Sequence, residues 1–396
     1  MSIEAQVESS PPLGKKAWLS VIAVALAIFA VVSAEMLPIG LLTPIAHSLD
    51  QSVGHASLII SLPSLVAAIT APCVVLIFNQ INRRKLFLLF MLLLLGSNLM
   101  AATVTELYWL LFARVLFGIS MGGIWALAGS LAVRLAPPGH AGLATSIVFS
   151  GIAAASVLGV PLGVYLGDLF GWRLAFICVA ALVGVVLVLL YWSLPSLAVN
   201  ETNTLSSSLQ LLKQRNVLIG LALTLLIVTG HFAAYTFIRP LLQSLAQFSD
   251  QYIGGLLLVY GLFGILGNFI AGYTIQKYLP QSLFCIAILL AISMALFVLF
   301  GHSQGMSIFL LLLWGVSYGG VSVAVMTWMF RAAPTQIETA TAFNISIFNL
   351  SIGLGAYIGG VLYDSNGILS NLILACVLTA AAAMLIVFGL QAKSQH

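Results

Sequence analysis

Apolar runs of membrane-crossing length, broken by short charged or Gly/Pro clusters, dominate this chain. A helical crossing needs about 20 apolar residues. Twelve such runs can be marked, at roughly 18–46, 53–78, 86–105, 107–135, 141–167, 173–193, 217–246, 252–276, 281–300, 305–330, 340–363 and 369–391. The pattern predicts an all-α polytopic membrane protein of twelve transmembrane helices. The first run continues past Leu42 with no small-residue cleavage site after it. It therefore reads as a retained span and not as a signal peptide. The pattern also divides the chain. A tail at 1–17 precedes a six-helix bundle at 18–193, a hydrophilic linker at 194–216, a second six-helix bundle at 217–391 and a short tail at 392–396.

The polar loops alternate in sign. Lys15, Lys16, Arg83, Arg84, Lys85, Arg134, Lys213, Arg215, Lys277, Arg331 and Lys393 fall on one side. Asp50, Glu106, Asp168, Asp250 and Asp364 fall on the other, with Arg173 among them. Basic loops stay in the cytoplasm, so both termini are expected there. An odd number of spans would scramble the alternation.

With 6% charged residues in 396 and a mean hydropathy of +1.15, a soluble fold is excluded. The net charge of +4 belongs to the loops on one face, so no nucleic-acid partner is implied; the lipid bilayer is the partner. Cys73, Cys178, Cys285 and Cys376 all fall in apolar runs without a CxxC pair and read as small core residues. No metal-ligand spacing, Walker A loop or nucleophile elbow appears. Neither cofactor nor metal is expected, there is no catalytic residue to name, and ATP is not the energy source.

The two halves repeat. "LFGISMGGIWALAGSLAVRLAP" at 116 aligns with "LWGVSYGGVSVAVMTWMFRAAP" at 313, with eight of 22 positions identical. The next spans align at nearly the same offset, pairing Gly159 with Gly355, Gly163 with Gly359 and Asp168 with Asp364. Parallel repeats of this kind build transporters with a site near the membrane midplane. The offset also sets "EMLPIGLLTP" at 35 against "HFAAYTFIRP" at 231, so Glu35 and His231 occupy equivalent places.

Glu35 lies about 25 Å along the first span at ~1.5 Å per residue. An intramembrane carboxylate is costly and is usually kept for a task. It reads as a proton carrier or as a helix-end group reaching water. Arg114 lies at similar depth, as its partner or as a structural clamp. His231 titrates naturally near neutrality and shares a helix face with Tyr235 and Arg239. These two, with Trp125, Tyr260, Asn268, Asn344 and Asn349, are candidates to line a cavity, since aromatic faces and amides suit a purine or a sugar. Gly118 with Gly122 and Gly159 with Gly163 form small-residue steps that let helices approach closely. Around Pro161 the freed backbone needs new partners.

Together these residues resemble the major facilitator superfamily. Arg83 and Arg84 fit its G-x-x-x-D-R-x-G-R-R loop, although Asn79 and Asn82 replace the acid and the glycine. Arg114 and Gly118 fit its R-x-x-x-G pattern. Gly151, Gly159, Pro161 and Gly163 resemble its antiporter motif, which implies export. "AEMLPIGLL", "GWR" at 171 and "YTFIRP" are similar to the drug–proton antiporter group, above all its purine-ribonucleoside and sugar-efflux branches. The resemblance implies a monomeric proton-coupled efflux pump of a bacterial inner membrane. Its partners would be protons and a small polar substrate, purine ribonucleosides before sugars. A multidrug–proton antiporter and a proton-coupled importer are the alternatives on the same fold.

Overall fold

In the computed structural model, residues 14–78, 80–197 and 210–391 are described. Asn79, both tails up to Leu13 and from Ala392, and most of the 194–216 linker lie outside them. Eleven helices among the described residues are long and apolar enough to cross a membrane. We name the crossings α1 (Lys15–Gly40), α2 (Val53–Val74), α3 (Arg83–Thr103), α4 (Leu107–Leu135), α5 (Ala141–Phe170) and α6 (Trp172–Ser193) in the first half. In the second half they are α7 (Arg215–Tyr235), α8 and α9 (together Asp250–Phe300), α10 (Gln304–Ala332), α11 (Ile337–Asn366) and α12 (Ile368–Gln391).

The difference between eleven and twelve has a simple origin. Asp250–Phe300 is 51 residues long, about 77 Å at ~1.5 Å per residue, more than twice the ~30 Å hydrocarbon core. It cannot be one crossing. Tyr278 leaves helical geometry at φ −126 and ψ 48, two residues before Pro280. We take α8 to end and α9 to begin there, which restores twelve spans. Two expected runs, 18–46 and 217–246, are in turn interrupted. α1 stops at Gly40 and α7 at Tyr235, each followed by a seven-residue helix, Leu42–Ser48 and Ile238–Ser244. Pro44 and Pro240 are the third residues of those helices. A proline cannot donate to the carbonyl four residues back and its ring crowds that carbonyl, so the backbone breaks just upstream.

Prolines also explain the bonds of three arginines, Arg114 and Arg239 buried and Arg331 exposed. Pro38, Pro63, Pro44 and Pro280 withdraw the N–H groups that would have served the carbonyls of Ala34, Ile59, Gly40 and Gln276. Arg114 donates to Ile59 at 2.8 Å and Ala34 at 3.4 Å. Arg239 donates to Gly40 at 2.8 Å and Arg331 to Gln276 at 2.6 Å. In lipid an unpaired carbonyl has no water to turn to, so each kink is matched by a guanidinium. Around Pro161 the solution differs. A π-helical turn, Ala155–Gly159, widens α5 just before the ring.

Small residues set the packing. A methyl on Gly118 would fall 2.5 Å from the Pro63 carbonyl oxygen and one on Gly122 2.8 Å from that of Ala67, so α4 lies directly on α2. Gly151, Gly159 and Gly163 face α1, where Ala25, Ser33 and Leu37 leave no room for a side chain. Gly355 and Gly359 repeat this against Thr229 and Ala233 of α7. The halves meet through α2 with α11 and α5 with α8.

The hydrogen bonds joining the halves cluster at the end that carries the acidic loops. Asp168 of α5 receives Arg239 Nη2 at 2.8 Å. Asp364 of α11, its repeat mate, receives the Gly54 N–H at 2.9 Å and Ser52 Oγ at 2.5 Å. Ser57 and Ser61 donate to the carbonyls of Ala356 and Gly353. At the opposite end Asn82 caps α3 through Arg84 N and reaches Ser196, while Arg84 donates to the Tyr191 carbonyl and Arg83 to that of Phe78. This loop, short of its usual acid, binds within its own half.

The outer surface suits a bilayer. Tyr108, Trp109 and Trp192 are exposed at helix ends, the level where aromatic rings anchor at an interface. The cysteines correct an expectation. Cys178 and Cys285 are exposed and Cys73 and Cys376 half-buried, all free. Cys178 and Cys285 lie on outward faces, because an apolar run in lipid does not imply a core position.

Candidate functional site

Glu35 sits one turn before Pro38 on α1 and is buried. Among the described residues its carboxylate accepts no hydrogen bond. Arg114 of α4 is close enough to interact with it electrostatically but forms no direct ion pair. The Arg114 Nε and Nη1 groups are committed to the carbonyls freed by Pro63 and Pro38, and its plane lies 4.1 Å from the Phe117 ring centre. Nη2 is buried without a partner. The guanidinium is thus a clamp with one donor left over beside an unbonded carboxylate. Both readings of Arg114 from the sequence meet in one side chain.

The equivalent place in the second half is aromatic. Rings stack in the order Tyr260, Tyr235, His231, Tyr318, with centre separations of 4.9, 4.9 and 3.3 Å and interplanar angles of 27, 21 and 7°. Trp314 stands edge-on to the first three of them. Its indole Nε1 lies 2.9 Å from His231 Nδ1. An indole only donates, so Nδ1 accepts and the ring proton sits on Nε2. Phe232 closes the side of the stack, edge-on to His231, Tyr235 and Tyr318. Tyr318 is only half-buried, unlike the other three rings, and it lies within electrostatic reach of Glu35. The carboxylate of one half and the end ring of the other half's stack are therefore within electrostatic reach of each other.

The remaining sequence candidates scatter. Arg239 is buried in ion pairs with Asp168 and Asp250 at 2.8 and 3.2 Å, away from the stack. Asn344 accepts from Thr224 at 2.7 Å, joining α11 to α7. Asn349 is turned back onto the Ile345 carbonyl of its own helix. Asn268 is exposed on α8 with no hydrogen bond among the described residues. Trp125 stacks on Phe149 with ring centres 6.5 Å apart. Two residues that complete the site, Trp314 and Tyr318, were not singled out from sequence. A partial signal was present: the aligned repeat pairs them with Phe117 and Met121, a larger ring at one position and an aromatic gain at the other.

The profile of the Major Facilitator Superfamily matches residues 24–343. The Purine ribonucleoside efflux pump NepI of Salmonella enteritidis is 31% identical over 372 residues, 93% of either chain. NepI of Salmonella typhimurium matches to the same extent. Among solved structures, a bacterial homolog to the human lysosomal transporter Spinster, inward-facing and unoccupied, superposes with a TM-score of 0.74. It is 15% identical and covers 96% of this chain and 97% of its own.

Proposed function

Because the chain belongs to the Major Facilitator Superfamily and is a multi-pass transporter of small molecules, we propose that it exports purine ribonucleosides in exchange for protons by alternating access. The substrate class rests on likeness to the NepI efflux pumps. The proton coupling rests on Glu35, a buried carboxylate with no hydrogen bond among the described residues, within electrostatic reach of the ring stack's last member. A charge there is costly in hydrocarbon. Protonation changes which state of the transporter that site favours, and a ligand that binds one state better shifts the equilibrium toward it. Binding of substrate and of a proton then exclude one another, which is what an exchanger needs.

The charge alternation supports cytoplasmic termini and a cytoplasmic 194–216 linker; in a bacterial inner membrane the acidic loops then lie in the periplasm. The cluster of bonds around Asp168 and Asp364 then closes the periplasmic side, and the conformation faces inward. A monomer is sufficient for this cycle. The test uses inverted membrane vesicles holding the full chain and tritiated inosine. Acidifying the vesicle interior should drive accumulation, and a protonophore should abolish it. Accumulation that ignores the proton gradient would contradict the coupling. Transport of lipophilic cations without inosine would replace the substrate class with that of a multidrug pump, and inosine leaving against the predicted direction would make it an importer.

A further inference from the structure

The stack Tyr260–Tyr235–His231–Tyr318 is closed at one end and open at the other. Tyr260 is 7% exposed, Tyr235 8% and His231 2%. Tyr318 has one face covered by His231 and is the least buried ring of the four. A column of near-parallel rings that ends on an uncovered ring offers its next position to another flat ring. Glu35 of the other half lies within electrostatic reach of this last ring. Trp314 and Phe232 hold the column from its flanks. Trp314 also fixes the His231 ring plane through Nδ1, so the last two rings are pre-oriented before anything binds. A ligand that meets a rigid aromatic face loses little further freedom from the protein on binding.

We infer that the open face of Tyr318 is the base-stacking subsite of the transporter, and that the transported purine ring continues the column as its fifth member. This rests on the export reading above and names the contact by which it selects a flat heterocycle. A base stacked on an aromatic side chain is recognised through its π-face, which every base has, so stacking favours large rings over small ones and tolerates their substituents. Selection by ring area, with the sugar contributing a smaller share, is the expected consequence.

The experiment measures inosine and uridine binding to the purified full-length protein by isothermal titration. Tyr318→Phe keeps the stack and should bind inosine within about threefold of the wild type. Tyr318→Leu should weaken inosine at least tenfold while its melting temperature stays close to the wild type's. In the wild type, inosine should bind several-fold tighter than uridine, since the two share a ribose and differ in ring area; this comparison decides the matter even if the leucine variant does not fold. Inosine binding equal in Tyr318→Leu and wild type, or equal wild-type affinities for the two nucleosides, would overturn the stacking subsite while leaving purine export standing. Failure of the wild type to bind either nucleoside would remove the export reading and this subsite together.

Discussion

The two halves place different chemistry on the same backbone positions. At the repeat offset, Glu35 stands where the second half has His231, Arg114 where it has Leu311, Phe117 where it has Trp314, and Met121 where it has Tyr318. The first half thus gathers a carboxylate and a guanidinium, and the second gathers rings. Packing is meanwhile conserved between them. Gly159 and Gly163 seat α5 on α1 as Gly355 and Gly359 seat α11 on α7. The difference teaches that a duplicated scaffold can carry different chemistry without changing its fold: in the proposed cycle one half answers to proton charge and the other to ring shape. In the proposed cycle it also favours Glu35 over His231 as the proton carrier. Nδ1 of His231 already accepts from Trp314 and cannot take a proton without losing that bond. Glu35 has no such commitment.

The largest effect that would sharpen this contrast comes from giving the first half the second half's residue. Arg114→Leu leaves the Ile59 and Ala34 carbonyls without partners and Glu35 without its neighbouring cation. An orphaned buried group costs about 1–3 kcal/mol, so the variant should lose folded yield or melt far lower in detergent. Arg114→Lys, with one compact donor group in place of a fork, should recover part of that stability. A variant as stable as the wild type would show that the kinks at Pro38 and Pro63 need no clamp.

A smaller effect is expected in the second half. Trp314→Phe keeps an aromatic ring against the stack but deletes the donor to His231. A hydrogen bond contributes about 0.5–1.5 kcal/mol net, so nucleoside affinity should fall a few-fold at neutral pH. With Nδ1 released, affinity should also become sensitive to acid, a readout that loss of packing alone would not move. Unchanged affinity at every pH would mean that the indole is only filler.

How much of this was readable beforehand follows from which forces act locally. Span number, the repeat and the Glu35–His231 equivalence are written in hydropathy and in glycine spacing, because lipid demands apolar helices and close contacts demand missing side chains. The arginine clamps were half legible: Pro38, Pro63 and Arg114 could each be seen, but that one guanidinium reaches both freed carbonyls depends on how α1, α2 and α4 cross. Asn344 and Asn349 looked like cavity groups because a polar residue in an apolar run draws the eye. Thr224 donates to the Asn344 amide oxygen and the Asn349 amide donates to the Ile345 carbonyl, and such pairings are invisible along a chain. Trp314 and Tyr318 were missed for the opposite reason. Aromatic residues in an apolar span do not stand out until their partners in α7 and α8 are placed beside them.

The division of labour itself is tested by Glu35→Gln, which keeps size and removes titration. In proteoliposomes holding the full chain, two rates should be compared: inosine accumulation driven by a proton gradient, and inosine exchange at equal concentrations with no gradient. The account predicts that driven accumulation disappears and its pH dependence goes flat, while exchange persists within a few-fold of the wild type. Driven accumulation at the wild-type rate with an unchanged pH profile would contradict it and would assign Glu35 a structural place.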